Sequence, residues 1–270
     1  MTVPKSLPNF RDLGGLPCED GRVIVPGKLY RTPKLWTKGL KKTERAETET
    51  FLDSLHIDTV LDFRSEPEYR EKPDYVPKGA QHFNVPFFAK GEVDRIIVTR
   101  RSVARMLALR GERIGLLKEE KLESYRIMPY SNRQIALRAL FDAMDRGDTI
   151  AFHCTEGKDR TGFAAYVLER CLGRSEADAR EQYLASNDSM DDATDRQAKV
   201  LGALHFPQAL IDALHYVEHC HDELLDLSLD AVLEQYASLD DYLLQVYGVT
   251  EDRKAKWRET YTQEDHFVVE

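Results

Sequence analysis

Cys154 and Arg160 are the residues of this 270-residue chain whose types and spacing could do chemistry together. Between them lie Thr155, Glu156, Gly157, Lys158 and Asp159, with one glycine among the five. A loop of that length can wrap a tetrahedral anion. Its backbone N–H groups turn inward as a nest, and the free N–H groups that open a following helix point the same way. Arg160 adds a planar fork for two oxygens of a phosphate. A field that binds a dianion also stabilises a thiolate, so Cys154 is expected to have a lowered pKa and to be nucleophilic at neutral pH. Alone, a buried cysteine is usually a small core residue, and an arginine after a glycine loop is usually a solvated charge. The two together at this spacing point to an anion site.

The flanking residues supply the elements that such a loop needs. Thr149-Ile150-Ala151-Phe152 is a short apolar run that reads as a buried strand, leading into His153 and Cys154. Thr161 to Leu172 is an apolar helical run closed by Gly173. The order is therefore strand, tight loop, helix. The competing phosphate motif GxxxxGK(S/T) is absent, because Gly157-Lys158 is followed by Asp159 and no glycine sits five positions earlier.

Elsewhere the pattern alternates. Glu19-Asp20-Gly21 is a turn signal, and Arg22–Val25 and Lys28–Arg31 read as short strands. Thr43–Leu55 reads as a helix, and Ile57–Phe63 and Gln81–Val85 as strands. Ile57–Phe63 brings Asp62 and Arg64 to its carboxyl end, where ligands bind in open α/β sheets. Arg64 is thus either a second phosphate or headgroup contact, or an arginine that buttresses the loop or pairs with Glu66 or Glu68. Ser131 is a candidate N-cap for a helix Asn132–Arg146, with Gly147 as its stop. Ser175 and Asp178 form a capping box for a helix to about Ala185. From Asp188 onward the pattern is helical throughout, with starts near Ser228, Leu239 and Thr250.

Residues 91–128 stand apart. They carry Arg95, Arg100, Arg101, Arg105, Arg110, Arg113, Lys118, Lys121 and Arg126, with Ile96, Val103, Met106 and Leu107 near helical spacing. This is an amphipathic basic helix, broken near Gly111 or Gly115. It is read as a lid first, with a membrane-surface helix and a solvated face as alternatives.

The totals exclude several classes. A formal net charge of −9 argues against a nucleic-acid binder, and 42% hydrophobic residues permit a sizeable core. The four cysteines, Cys18, Cys154, Cys171 and Cys220, form no CxxC pair, which suits a reducing compartment. No signal-peptide h-region is visible in MTVPKSLPNF and no run of ~18 apolar residues occurs, so a cytoplasmic protein is expected, non-standard secretion aside. His215 and His219 share a helix face beside Cys220, His221 and Asp222, as zinc ligands can, but the partners for a tetrahedral site are not evident and no metal is assigned.

The loop HCTEGKDRTG resembles the HCxxGxxR(S/T)G signature of cysteine-dependent protein tyrosine and dual-specificity phosphatases. The GKDRTG form is similar to a bacterial and fungal branch that hydrolyses phosphotyrosine and, in several members, phosphoinositides. Asn9 to Gly15, NFRDLGG, matches that branch letter for letter, and Leu29-Tyr30-Arg31-Thr32 and Leu61-Asp62-Phe63-Arg64-Ser65 resemble two further segments.

The resemblance implies an α/β fold, a mostly parallel central sheet flanked by helices. Residues 1–270 would form one domain, with 91–128 as a helical lid-like insert and 188–270 as a helical layer of the same domain. It implies phosphomonoester hydrolysis through a phosphocysteine, without a cofactor. Cys154 is the nucleophile and Arg160 the phosphate clamp. Thr155, Glu156, Gly157 and Lys158 bind substrate through the loop. His153 orients and tunes the thiol, and Thr161 donates to the sulfur. Asp159 matches the aspartate that this branch is thought to use as general acid; Asp74 and Asp94 are the candidates if a separate mobile loop supplies it. A phosphate dianion beside Asp159 is expected to raise its pKa. Substrates would be phosphorylated proteins or phosphoinositides, the latter favoured by Lys158 and the basic insert, with peripheral membrane contact. The alternative is a non-catalytic phospho-ligand binding protein.

Overall fold

The computed structural model describes residues 2–90, 92 and 114–265, apart from the side chains of 192 and 193. Most of the basic insert, with Arg95, Arg100, Arg101, Arg105, Arg110, Arg113 and the candidate acid Asp94, lies outside the described residues.

The strands are β1 (Arg11–Asp12), β2 (Arg22–Ile24), β3 (Leu29–Thr32), β4 (Thr59–Asp62), β5 (Gln81–Asn84), β6 (Ile150–His153) and β7 (Thr262–Glu264). Five of them make one sheet in the order β1-β3-β6-β4-β5, with only the edge pair β1–β3 antiparallel. The mostly parallel sheet is the one expected. β6 lies in the middle and is buried along its whole length, which is why its sequence is a near-continuous apolar run. Its register sets His153 opposite Thr32 on one side and Asp62 on the other. The loops that leave β3, β4 and β6 therefore share the carboxyl edge of the sheet, where the Cys154 loop begins.

The helices are α1 (Lys42–Ser54), α2 (Glu66–Glu71), α3 (Ile114–Ile127), α4 (Ile135–Arg146), α5 (Asp159–Cys171), α6 (Glu176–Leu184), α7 (Asp191–Ala203), α8 (Gln208–Glu218), α9 (Asp222–Leu233), α10 (Leu239–Tyr247) and α11 (Glu251–Tyr261). Alternation along the strands divides them between two faces. Tyr30, Val60 and Ala151 pack with Phe51 and Leu52 of α1. Leu29, Leu61, Ile150 and Phe152 join the larger core with α4, α5 and residues of α9, α10 and α11. The last three helices, α9, α10 and α11, thus share the main core. A third cluster, Leu201, Leu210, Ile211, Leu214 and Val217, ties α7 and α8 to Ile114 and Leu117 of α3.

Four local expectations change. Ser131 does not cap α4: its hydroxyl donates back to the Ile127 carbonyl at 2.9 Å, and Asn132, Arg133 and Gln134 take positive φ before the helix starts at Ile135. Ser228 is buried inside α9 and donates to the Tyr125 carbonyl at 2.7 Å, so it starts nothing. The C-terminal region is not helical throughout, since β7 pairs antiparallel with β2. The short helix α2 was not anticipated, although Ser65 and Glu68 form its capping pair. Among the described residues no helix is long and apolar enough to cross a membrane.

Candidate active site

The loop from Cys154 to Arg160 is shaped from outside. The Cys154 carbonyl accepts from His153 Nδ1 at 2.9 Å, and the Thr155 carbonyl accepts from the Lys34 N–H at 3.1 Å. The Glu156 carbonyl accepts from Asn9 Nδ2 at 3.0 Å, and the Gly157 carbonyl from Arg31 Nη2 at 3.0 Å. A planar trans peptide points its N–H away from its C=O. With these carbonyls drawn outward, the amides between them face the hollow of the loop, as an anion nest requires. Gly157 makes the path possible: its φ is +71°, and a Cβ there would lie 2.6 Å from the Thr32 carbonyl oxygen. Asn9 and Arg31 belong to the two N-terminal segments singled out in the sequence, but their part in holding the loop was not foreseen.

Cys154 is only 3% exposed. Burial pushes its thiol up, but the Arg160 charge and the hydroxyl and N–H of Thr161 outweigh that and leave it below the usual thiol value. The Thr161 hydroxyl is fully buried with no fully formed hydrogen bond in the described structure, which leaves the sulfur as the group it serves.

Arg160 is fixed by Glu68 of α2, which sequence reasoning missed. Nη1 reaches Glu68 Oε2 at 2.9 Å and Nη2 reaches Oε1 at 3.0 Å. The same carboxylate accepts from Thr155 Oγ1 at 2.6 Å and from the Ser65 N–H at 2.9 Å. Burial would raise Glu68, yet Arg160, Thr155 and Ser65 hold it well below the usual carboxylate range. One signal was in the chain: Ser65-Glu66-Pro67-Glu68 is a helix-start pattern directly after β4.

Asp159 opens α5. Its Oδ1 accepts from Lys121 Nζ at 2.5 Å and from Tyr125 Oη at 2.7 Å, both on α3. Burial raises its pKa, but Lys121 and Lys158 prevail and lower it. The two lysines are thus the charges that set this carboxyl, against which the like charge of a phosphate dianion would act in the opposite direction.

Two binding assignments also change. Lys158 does not face a substrate: its Nζ turns to the C-terminal end of α8, 2.5 Å from the Glu218 carbonyl and 2.9 Å from Glu218 Oε2. The Glu156 side chain is likewise engaged elsewhere, pairing with Lys34 at 3.1 Å. Arg64 is 1% exposed and spends its guanidinium inside the protein, on Asp62 at 2.9 Å, on Asp74 at 2.8 Å and on the Lys72 carbonyl at 2.9 Å. It contacts neither a ligand surface nor, by salt bridge, Glu66 or Glu68.

Asp74 anchors a buried network behind the loop. Its Oδ2 lies 3.1 Å from both His153 Nε2 and His82 Nε2. Burial would raise this carboxyl, but His153, His82 and Arg64 hold it far below its usual value. His153 is pulled down by burial and pushed up more by Asp74 and Asp62, and its Nδ1 anchors the Cys154 carbonyl. Asp74 is ionised and enclosed, which does not suit a mobile general acid. Asp62, Asp74, His82 and His153 bring their ligand atoms within 4.8 Å of one another, but the Arg64 guanidinium already pairs with both carboxylates there. His215 and His219 stack at 4.2 Å, and His219 pairs with Asp191 at 2.9 Å.

The chain is similar to several known proteins. A model described as "Tyrosine phosphatase family" matches residues 3–263. The chain is 30% identical over 239 residues to a protein of Cupriavidus necator assigned as a tyrosine-protein phosphatase, covering 88% of this chain and 81% of that one. It is 29% identical over 197 residues to the triple specificity protein phosphatase PtpB of Mycobacterium tuberculosis, covering 67% of each. A solved structure of P. aeruginosa TpbA in complex with phosphotyrosine aligns with 78% of this chain and 90% of that one, at 14% identity and a TM-score of 0.29.

Proposed function

The chain belongs to the tyrosine phosphatase family, and on that premise we propose that it hydrolyses phosphotyrosine in proteins through a phosphocysteine. One observation carries the reading: a loop with its carbonyls tied outward surrounds a cysteine of lowered pKa, with Arg160 locked beside it.

The Cys154 thiolate attacks phosphorus in line, and the bond to the leaving oxygen breaks as the new P–S bond forms. Arg160 and the loop amides hold the equatorial oxygens and meet the charge that develops there. Asp159 gives a proton to the departing oxygen. Water then attacks the phosphocysteine, loses its proton to Asp159, and releases phosphate and the Cys154 thiolate. The lysines that lower Asp159 favour the carboxylate, which suits the second step. For the first step the incoming dianion must oppose the two lysines and favour the protonated carboxyl.

Phosphoinositides and a membrane surface stand second. That reading rested on Lys158 and the basic insert, and Lys158 is engaged by Glu218, so the insert alone would have to recognise a headgroup. A reducing, cytoplasmic setting belongs to the same proposal, since the mechanism needs Cys154 as a free thiol.

The test is phosphate release from a phosphotyrosine peptide, a phosphoserine peptide and phosphoinositide vesicles, run beside Cys154→Ser. Turnover of the phosphotyrosine peptide that vanishes in the variant is expected. Turnover that survives Cys154→Ser would overturn the nucleophile, and release from vesicles alone would overturn the substrate class.

A further inference from the structure

Lys121 is 6% exposed, and a buried ammonium requires a partner. It has two. Nζ lies 2.5 Å from Asp159 Oδ1 and 3.0 Å from the Val217 carbonyl, at the C-terminal end of α8. Helix ends of that polarity favour cations, and Lys158 Nζ reaches the same carbonyl at 3.3 Å. One helix turn along α3, Tyr125 is fully buried; its hydroxyl donates to Asp159 Oδ1 at 2.7 Å and meets the Tyr183 hydroxyl at 2.9 Å. Both α3 donors take the same oxygen. Among the described residues none bonds Oδ2, which is the oxygen left to carry a proton.

We propose that Lys121 is a positioning residue for the reaction: through Oδ1 it aims Asp159 and governs when that carboxyl holds its proton, with Tyr125 as the weaker second holder. This rests on the reading of Asp159 as the acid and base.

The groups that face Asp159 decide the sign. Lys121 and Tyr125 come from α3, Tyr183 from α6, Cys220 from just past the end of α8, and Lys158, Arg160 and Cys154 from the loop. Lys121 is the cation in direct contact, and it favours the carboxylate. It therefore keeps Asp159 ready to take a proton from water in the second step, and it limits how far up the pH scale the first step runs. Removing the cation must favour the protonated form and extend the first step to higher pH. Asp159 lies below its ordinary value with Lys121 as the main lowering charge, which agrees with this direction.

The experiment is the pH dependence of kcat with an alkyl phosphate, whose basic leaving group makes the proton matter, in the full chain. Lys121→Met is expected to move the alkaline limb up by about one pH unit, Tyr125→Phe to move it up by less, and Lys121→Arg to leave it near wild type. Thermal melts of each variant report folding separately, and Tyr125→Phe keeps the test alive if Lys121→Met does not fold. A uniform fall in kcat with no movement of the limb in either variant would overturn the proposal and make both residues merely structural. Asp159→Asn distinguishes the underlying reading. If it abolishes the limb while Lys121→Met does not move it, only the role of Lys121 fails. If the limb persists in Asp159→Asn, the acid is elsewhere and both readings fail.

Discussion

Glu68 grips Arg160 with both carboxylate oxygens, at 2.9 and 3.0 Å, and so decides which way the phosphate clamp of the loop points. The pair is nearly enclosed, with side chains 8% and 14% exposed. Glu68→Gln removes the charge that balances the guanidinium, and loss of one member of such a pair is destabilising by about 3 kcal/mol. Inorganic phosphate should raise the melting temperature of Glu68→Gln more than that of wild type, because it supplies the missing anion. The pH dependence has a definite sign. The folded carboxyl sits below its ordinary value of 4.5, so its contribution is complete above that value and is lost as pH falls below it. Wild type should therefore lose stability more steeply than Glu68→Gln below about pH 4.5. Parallel acid melts would contradict this account.

Cys154→Ser should lower turnover by on the order of a thousandfold or more while phosphate still raises the melting temperature, since the loop amides and Arg160 remain. The thiol lies below its ordinary value of 9.0, so the acidic limb of kcat/KM should fall below pH 9 in wild type. Thr161→Val removes a donor to the thiolate and should move that limb upward. A limb that stays put would show that Thr161 does not act on the sulfur.

Asp159→Asn should slow phosphotyrosine and alkyl phosphates by on the order of a hundredfold or more, the usual worth of a general acid. An activated nitrophenyl phosphate needs little proton donation and should be far less affected. Asp74→Asn should behave differently: with His153, His82 and Arg64 around it, it should lower all substrates by a common factor and reduce the melting temperature. Exchange of these two patterns would move the acid from Asp159 to Asp74.

Lys158→Met should leave the ratio of vesicle to aryl phosphate turnover unchanged, because the ammonium faces Glu218 and not the loop hollow. Its stability loss should be about 1 kcal/mol, since Glu218 is partly solvated. A selective loss on phosphoinositide vesicles would return Lys158 to the binding surface.

The parts of the site that are local in sequence were legible there. The apolar run of β6, the loop length and the glycine at Gly157 all follow from short-range rules, and so do the start of α6 at Ser175 and the stop of α4 at Gly147. What could not be read was the company each side chain keeps. Lys158 looked like a substrate cation because nothing nearby in the chain reveals that the end of α8 stands beside it. Arg64 looked exposed because Asp74, ten positions on, is brought back against it only in the fold. The lowered pKa of Asp159 depends on α3, a helix known from sequence only as the tail of a basic stretch. Ser131 failed as a cap for a different, local reason: its hydroxyl bonds the carbonyl four residues back.

The strand order has a consequence for biosynthesis. β3 and β4 are not neighbours; β6 lies between them, and it is translated long after both. At about ten residues per second the two early strands wait on the order of ten seconds with unpaired edges facing each other across an empty slot. Exposed edges of apolar strands recruit other chains, and contacts this distant in sequence close slowly. The hazard ends only when the strand that carries the nucleophile slides into place, so sheet completion and the birth of the active site are one event.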